Sequence, residues 1–177
     1  VWGRSVYTVF FGGGTPSLFT PQAIEAIIAA VRARLRLLPD AEITLEANPG
    51  TVDADRFAGF RAAGVNRLSI GVQSFDAENL RALGRIHDDK RAVSAVETAR
   101  RHFDNINIDL MYALPRQTIE GALQDIETAV ALGPTHVSAY HLTIEPNTLF
   151  HRFTPELPDD DVSAEMQDEI ENRLAGA

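Results

Sequence analysis

Five short apolar runs, each followed by a stretch of helical spacing, organise this 177-residue chain. Ser5–Phe11 is β-branched and aromatic and reads as a buried strand. Thr20-Pro21 is an N-cap followed by proline at the first helical position. Ile24, Ile27, Ile28, Val31, Leu35 and Leu38 then recur on one face, predicting a helix over Pro21–Leu37. Ile43–Ala47 reads as the second strand, and a helix capped by Thr51 or Asp53 runs to Ala63, where Gly64 stops it. Asn66–Gly71, Asn105–Tyr112 and His136–Leu142 are the remaining strands. Helices are predicted at Asp76–Leu83, Asp89–His102, Thr118–Leu132 and Asp160–Leu174. Strands that alternate with helices imply right-handed crossovers and a parallel sheet covered by helices, an α/β fold.

Composition narrows the functions. Apolar and charged contents of 45% and 23% are those of an ordinary globular domain, and no apolar run approaches a membrane-spanning length. The net charge is −9 with no basic cluster, which argues against nucleic acid as a partner. Asp159-Asp160-Asp161 is read as a solvated helix N-terminus, and no metal-ligating set is found. There is no cysteine, so disulfides and thiolate metal sites are excluded within the chain. The first residues, Val1-Trp2-Gly3-Arg4-Ser5, show no secretory signal, and the start without Met almost on a strand is expected to be a cut edge.

The polar residues fall at the strand ends, where parallel β/α folds hold their ligands. The first strand ends in Gly12-Gly13-Gly14-Thr15-Pro16, and the second in Glu46-Ala47-Asn48-Pro49-Gly50. The third ends in Gly71-Val72-Gln73-Ser74, and the fourth carries Asp109 inside an apolar run. The fifth carries Tyr140, His141 and Thr143 before Glu145-Pro146-Asn147. Together they predict a ligand site at a barrel mouth, against the alternative that they cap helices and satisfy loop backbone. The glycine run lacks the Gly-Lys-Ser/Thr ending of a phosphate loop and the spacing of dinucleotide binders. Glu46 and Asp109 read either as paired carboxylates for acid–base work or as hydrogen-bond acceptors. Arg85 suits either a carboxylate clamp or a surface salt bridge. The lone histidines His87 and His141 suit core or capping roles better than metal ligation.

Six blocks in order carry a resemblance: Phe10–Phe19, Thr44–Thr51, Asn66–Phe75, Arg81–His87, Asn107–Thr118 and His141–Phe150. They closely resemble the oxygen-independent coproporphyrinogen III oxidase-like radical S-adenosylmethionine (SAM) proteins, most of all their HemW branch of haem chaperones. The resemblance implies a partial (β/α)₆ TIM-like barrel, here about five parallel strands with the first one missing. Residues 1–177 would then be a single core domain truncated at both ends. It also implies SAM and a [4Fe–4S] cluster as cofactors, with an electron from the cluster cleaving the carbon–sulfur bond of SAM. The family's SAM contacts carry over to Gly13, Gly14, Thr15, Glu46, Gln73, Arg85, Asp109 and Thr143. Haem or porphyrin, an acceptor haemoprotein and an electron donor are the implied partners, and the cytoplasm is the implied compartment. The family's cluster is held by a C-x₃-C-x₂-C loop that this chain does not contain. A porphyrinogen-decarboxylating oxidase, a cluster-free binding module and a β/α-barrel hydrolase using Glu46 and Asp109 are the competing readings.

Overall fold

Parity along the strands explains the architecture. Ile43, Leu45 and Ala47, then Leu68, Ile70 and Val72, then Ile106, Ile108 and Leu110 are all buried. The residues between them are Thr44 and Glu46, Ser69 and Gly71, and Asn107 and Asp109. Side chains alternate across a strand, so one sheet face is apolar and the other polar. A parallel sheet with apolar runs on both faces is the usual case. Here, among the described residues, only one face has helices to bury against.

The computed structural model describes residues 3–176. Its strands are β1 (Ser5–Phe11), β2 (Arg36–Ala47), β3 (Arg67–Gln73), β4 (Ile106–Tyr112) and β5 (His136–His141). They form one sheet in sequence order with every pairing parallel. The helices are α1 (Pro21–Arg34), α2 (Ala54–Ala62), α3 (Ala77–Ala82), α4 (Asp89–Ala99), α5 (Ile119–Ala131), α6 (Leu149–Arg152) and α7 (Asp160–Ala175). Residues of all five strands line one cavity, which a flat sheet would not permit; the sheet is curled into a half-barrel. The α/β class and the partial barrel therefore stand as expected.

Helices α1, α2, α4, α5 and α7 bring apolar stripes to the outer face. Ile24 and Ile28, Phe57 and Phe60, Val96, Ile126, and Met166 with Ile170 join one buried cluster with the strands. Phe57 meets the Phe103 ring edge-on, with centroids 6.3 Å apart. Most helices start on a side-chain cap, with Thr20, Asp53, Asp76, Asp88, Thr118 and Asp159 each accepting first-turn N–H groups. Asp159 capping α7 places the acidic triplet where a helix dipole favours it.

Three expectations are corrected. Helix α1 ends at Arg34, not Leu37, because Arg36 and Leu37 pair with Ser5 and Val6 and so begin β2 seven residues early. The extra β2 residues, including Pro39, are taken up by a register shift between Val6 and Thr8. Strand β1 is only partly buried. Tyr7 is 68% exposed, and β1 is an edge that pairs only with β2 among the described residues. The short helix α6, capped by Thr148, has no counterpart in the sequence pattern.

Candidate functional site at the strand ends

The cavity at the polar face has a volume of about 440 Å³. Its rim is built from the ends of β1, β2 and β3 and from the loop after α3 (Gly13, Thr15, Glu46, Gln73, Arg85). Its wall is built from mid-strand residues (Arg67, Ser69, Asn107, Asp109, Ser138).

Two glycines of the first loop are required, for different reasons. A Cβ on Gly12 would lie 2.8 Å from the Phe10 ring and 3.1 Å from Glu46 Oε1. Gly13 has φ +105°, and its N–H donates to Glu46 Oε2 at 3.1 Å. Gly14 meets open space and does not line the cavity. Thr15 then adopts φ 53°, a left-handed conformation that is costly for a β-branched residue. Gln73 sits at φ 74° where β3 gains one residue on β4, between Gly71 and Gln73. Bulges of this kind re-aim side chains beside binding sites. Two left-handed non-glycine backbones thus fall on one rim, held by the surrounding sheet.

Asp109 is the centre of the wall. Ser69 Oγ donates to its Oδ2 at 2.8 Å, and Asn107 Nδ2 donates to its Oδ1 at 2.8 Å. Asn107 Nδ2 also reaches Ser69 Oγ at 3.0 Å, and its Oδ1 accepts from Ser138 Oγ at 3.0 Å. Burial pushes the Asp109 carboxyl above its usual range, and the charge on Glu46 adds to the push. The Ser69 and Asn107 donors and the charge on Arg67 act the other way without cancelling it. Arg67 is itself tied to Thr44 Oγ1 at 3.4 Å and lies 3.9 Å from Glu42.

The Arg85 guanidinium is half-buried, and burial disfavours its charge. Among the described residues it has no ion pair within 4.0 Å, which removes the surface salt-bridge alternative. An unpaired guanidinium, two carboxyls, a Gln amide and strand-end backbone thus converge on one space. The set can hold a ligand that carries an anionic group together with hydroxyls or a cation.

Of the eight predicted site residues, the structure brings six to the cavity: Gly13, Thr15, Glu46, Gln73, Arg85 and Asp109. Gly14 and Thr143 lie outside it. Thr143 is exposed beyond β5, with its hydroxyl 3.4 Å from Glu145. Arg67, Ser69, Asn107 and Ser138 were not foreseen. Their signal is parity alone, polar residues alternating with apolar ones inside strands, as in Asn105-Ile106-Asn107-Ile108-Asp109. A larger hollow of about 660 Å³ lies beside α3 and α5, and its one buried carboxyl, Asp125, takes donors from Ser74, Phe75 and Gln117.

The sequence profile of the radical SAM superfamily matches residues 2–129. The chain belongs to that superfamily. Radical SAM proteins use SAM and a [4Fe–4S] cluster in general, and the two fit this chain differently. The cavity's charge pattern suits SAM, which carries a carboxylate, an ammonium, a sulfonium and a ribose diol. The cluster does not fit, because the chain has no cysteine. Nor do the described residues gather three or more His, Asp or Glu side chains placed to hold a metal.

Among curated relatives, the heme chaperone HemW of Escherichia coli (strain K12) is 56% identical over 160 residues, covering 90% of this chain and 42% of the relative. HemW of Haemophilus influenzae is 48% identical over 159 residues, with coverage of 89% and 42%. The mouse radical S-adenosyl methionine domain-containing protein 1, mitochondrial, is 44% identical over 171 residues, covering 94% of this chain and 39% of its own. Among solved structures, coproporphyrinogen III oxidase (HemN) from E. coli superimposes with a TM-score of 0.87 at 30% identity, covering 98% of this chain and 41% of that one. The chain thus spans about two-fifths of the length of the proteins it resembles. No helix among its described residues is long and apolar enough to cross a membrane.

Proposed function

We propose that this chain is the SAM-binding core of a HemW-like haem chaperone that works in the cytoplasm. Haem or porphyrin is its cargo, an acceptor haemoprotein receives it, and an electron donor serves the cluster. The observation that carries the reading is the contrast in identity. The backbone fits HemN closely at 30% identity, so fold alone does not separate the branches, whereas HemW matches at 56%.

In this reading Arg85 pairs with the carboxylate of SAM, and Glu46 and Asp109 accept from its ammonium and hydroxyl groups. Gly13 and Thr15 line the cavity with the close backbone of their loop, and Gln73 adds an amide. SAM, when bound, would supply the reactive group; the residues here orient and shield it. Asn107 and Ser69 keep Asp109 aimed into the cavity through their 2.8 Å bonds. The cluster's thiolates are assigned to residues outside these 177. Gly14 and Thr143 are placed beside the cofactor rather than against it.

The full-length protein, reduced under anaerobic conditions with SAM, tests the branch. Haem should bind with a shifted Soret band and pass to an apo-haemoprotein, with coproporphyrinogen III left unconsumed. Decarboxylation of coproporphyrinogen without haem binding would replace this reading with the oxidase.

A further inference from the structure

Arg85 is carried on the loop between α3 and α4, and of residues 83–88 only His87 is buried, at 3% exposure. The His87 ring makes the one hydrogen bond from residues 85–87 to the sheet among the described residues. Its Nε2 lies 3.1 Å from the Val72 carbonyl on β3. Val72 immediately precedes Gln73, whose backbone is left-handed at φ 74°. One imidazole therefore joins the Arg85 loop to the strand end that carries Gln73. Both of those residues line the cavity; His87 itself does not.

The protonation state follows from the partners. A carbonyl oxygen only accepts, so Nε2 carries a hydrogen. In the neutral ring Nδ1 is then a bare acceptor, buried with no protein partner among the described residues. A second N–H at Nδ1 would be sealed away from water with nothing to receive it. The charged groups that act on the ring are Arg85, which opposes protonation, and Asp88, which favours it. Burial is the largest influence and holds the imidazole below its ordinary value of 6.5, against the opposing pull of the Val72 carbonyl. A histidine lowered in this way contributes its full stability above pH 6.5 and loses it as pH falls through the folded-state value.

We infer that His87 is a positioning residue: its neutral ring clasps the Arg85 loop to β3 and sets the guanidinium at the cavity rim, and protonation releases the clasp. The role in cofactor binding rests on the SAM reading above; the clasp does not.

Two measurements on the full-length protein, from pH 8 to pH 5.5, test the inference. One is the hydrogen-exchange protection factor of amides 84–88, and the other is the Kd for SAM by calorimetry. Wild type should lose about tenfold in protection and about fivefold in affinity on the acid side. His87→Gln keeps a donor for Val72 without titrating in this range, so both readouts should stay flat near the wild-type pH 8 values. His87→Ala should be poorly protected and weak-binding at both ends. An acid-side loss as large in His87→Gln as in wild type overturns the inference, as does a His87→Ala that matches wild type throughout. If wild type binds no SAM at any pH, the cofactor reading fails, and the protection factors alone decide the clasp: no acid-side loss in wild type overturns it. If His87→Ala does not fold, the His87→Gln profile decides.

Discussion

Asp109 and Asp125 are the same side chain in two settings, and the contrast separates site from scaffold. Burial raises both carboxyls above their usual range, Asp125 to about 6. Asp125 is 4% exposed on α5 and faces the loop after β3. Ser74 Oγ reaches its Oδ2 at 2.7 Å, the Phe75 N–H its Oδ1 at 2.6 Å, and Gln117 Nε2 its Oδ2 at 3.4 Å. Those donors come from two strand-end loops, so Asp125 ties the loops after β3 and β4 to a helix. Asp109 takes donors only from strand neighbours and opens onto the cavity. A carboxyl only 4% exposed that takes three donors from two loops is a structural tie. One that keeps a free side toward a cavity is available to a ligand.

The largest effect expected from breaking the contrast is on stability at Asp125. Asp125→Ala removes the acceptor of three donors, two of them buried, and should cost roughly 3 kcal/mol. Chemical denaturation of the purified variant measures it, and a loss below about 1 kcal/mol would dissolve the distinction. The pH dependence sharpens the same point. An acid with a raised folded-state pKa favours the fold at low pH and loses that contribution as pH rises through the folded value. Stability owed to Asp125 should therefore fall between about pH 4 and its value of about 6, by an amount on the order of 3 kcal/mol. Asp125→Asn should flatten that slope in unfolding curves taken across the range.

On the cavity side the effects should appear in binding. Arg85→Ala removes an unpaired guanidinium and should weaken SAM binding roughly 10- to 100-fold in calorimetry while moving the melting temperature little. The smallest effect belongs to the glycine loop. Gly14→Ala enters open space at ordinary φ and should change stability by less than about 0.5 kcal/mol. Gly13→Ala forces a side chain onto φ +105° and should cost about 1 kcal/mol or more by the same thermal melts.

Much of this was legible in the sequence because strand ends and helix starts have local chemistry. Glycines, Asn-Pro-Gly and capping Thr or Asp announce where a strand stops and a helix begins, so the rim residues Gly13, Glu46 and Gln73 could be placed in advance, while Arg85 followed from the family resemblance. The wall was not legible in the same way. Ser69, Asn107 and Ser138 sit inside apolar runs, and in a parallel sheet such runs suggest burial on both faces. Only the curl of the sheet, a non-local property, turns the alternate residues into a lining. The overrun of α1 has a similar cause. Leu35 and Leu38 continue the helical spacing, but the ladder with β1 claims Arg36 and Leu37. Thr143 lies outside the cavity because the chain leaves it as β5 ends at His141, a turn in space that spacing along the sequence does not record.

The most direct test of the central claim is calorimetric titration of SAM into wild type, Asp109→Asn and Asp125→Asn, at pH 7.5 and with all three confirmed as folded. The account predicts that Asp109→Asn binds about tenfold more weakly with unfolding close to wild type, whereas Asp125→Asn binds like wild type. Equal binding by wild type and Asp109→Asn, or lost binding confined to Asp125→Asn, would contradict the assignment of the polar face as the ligand site.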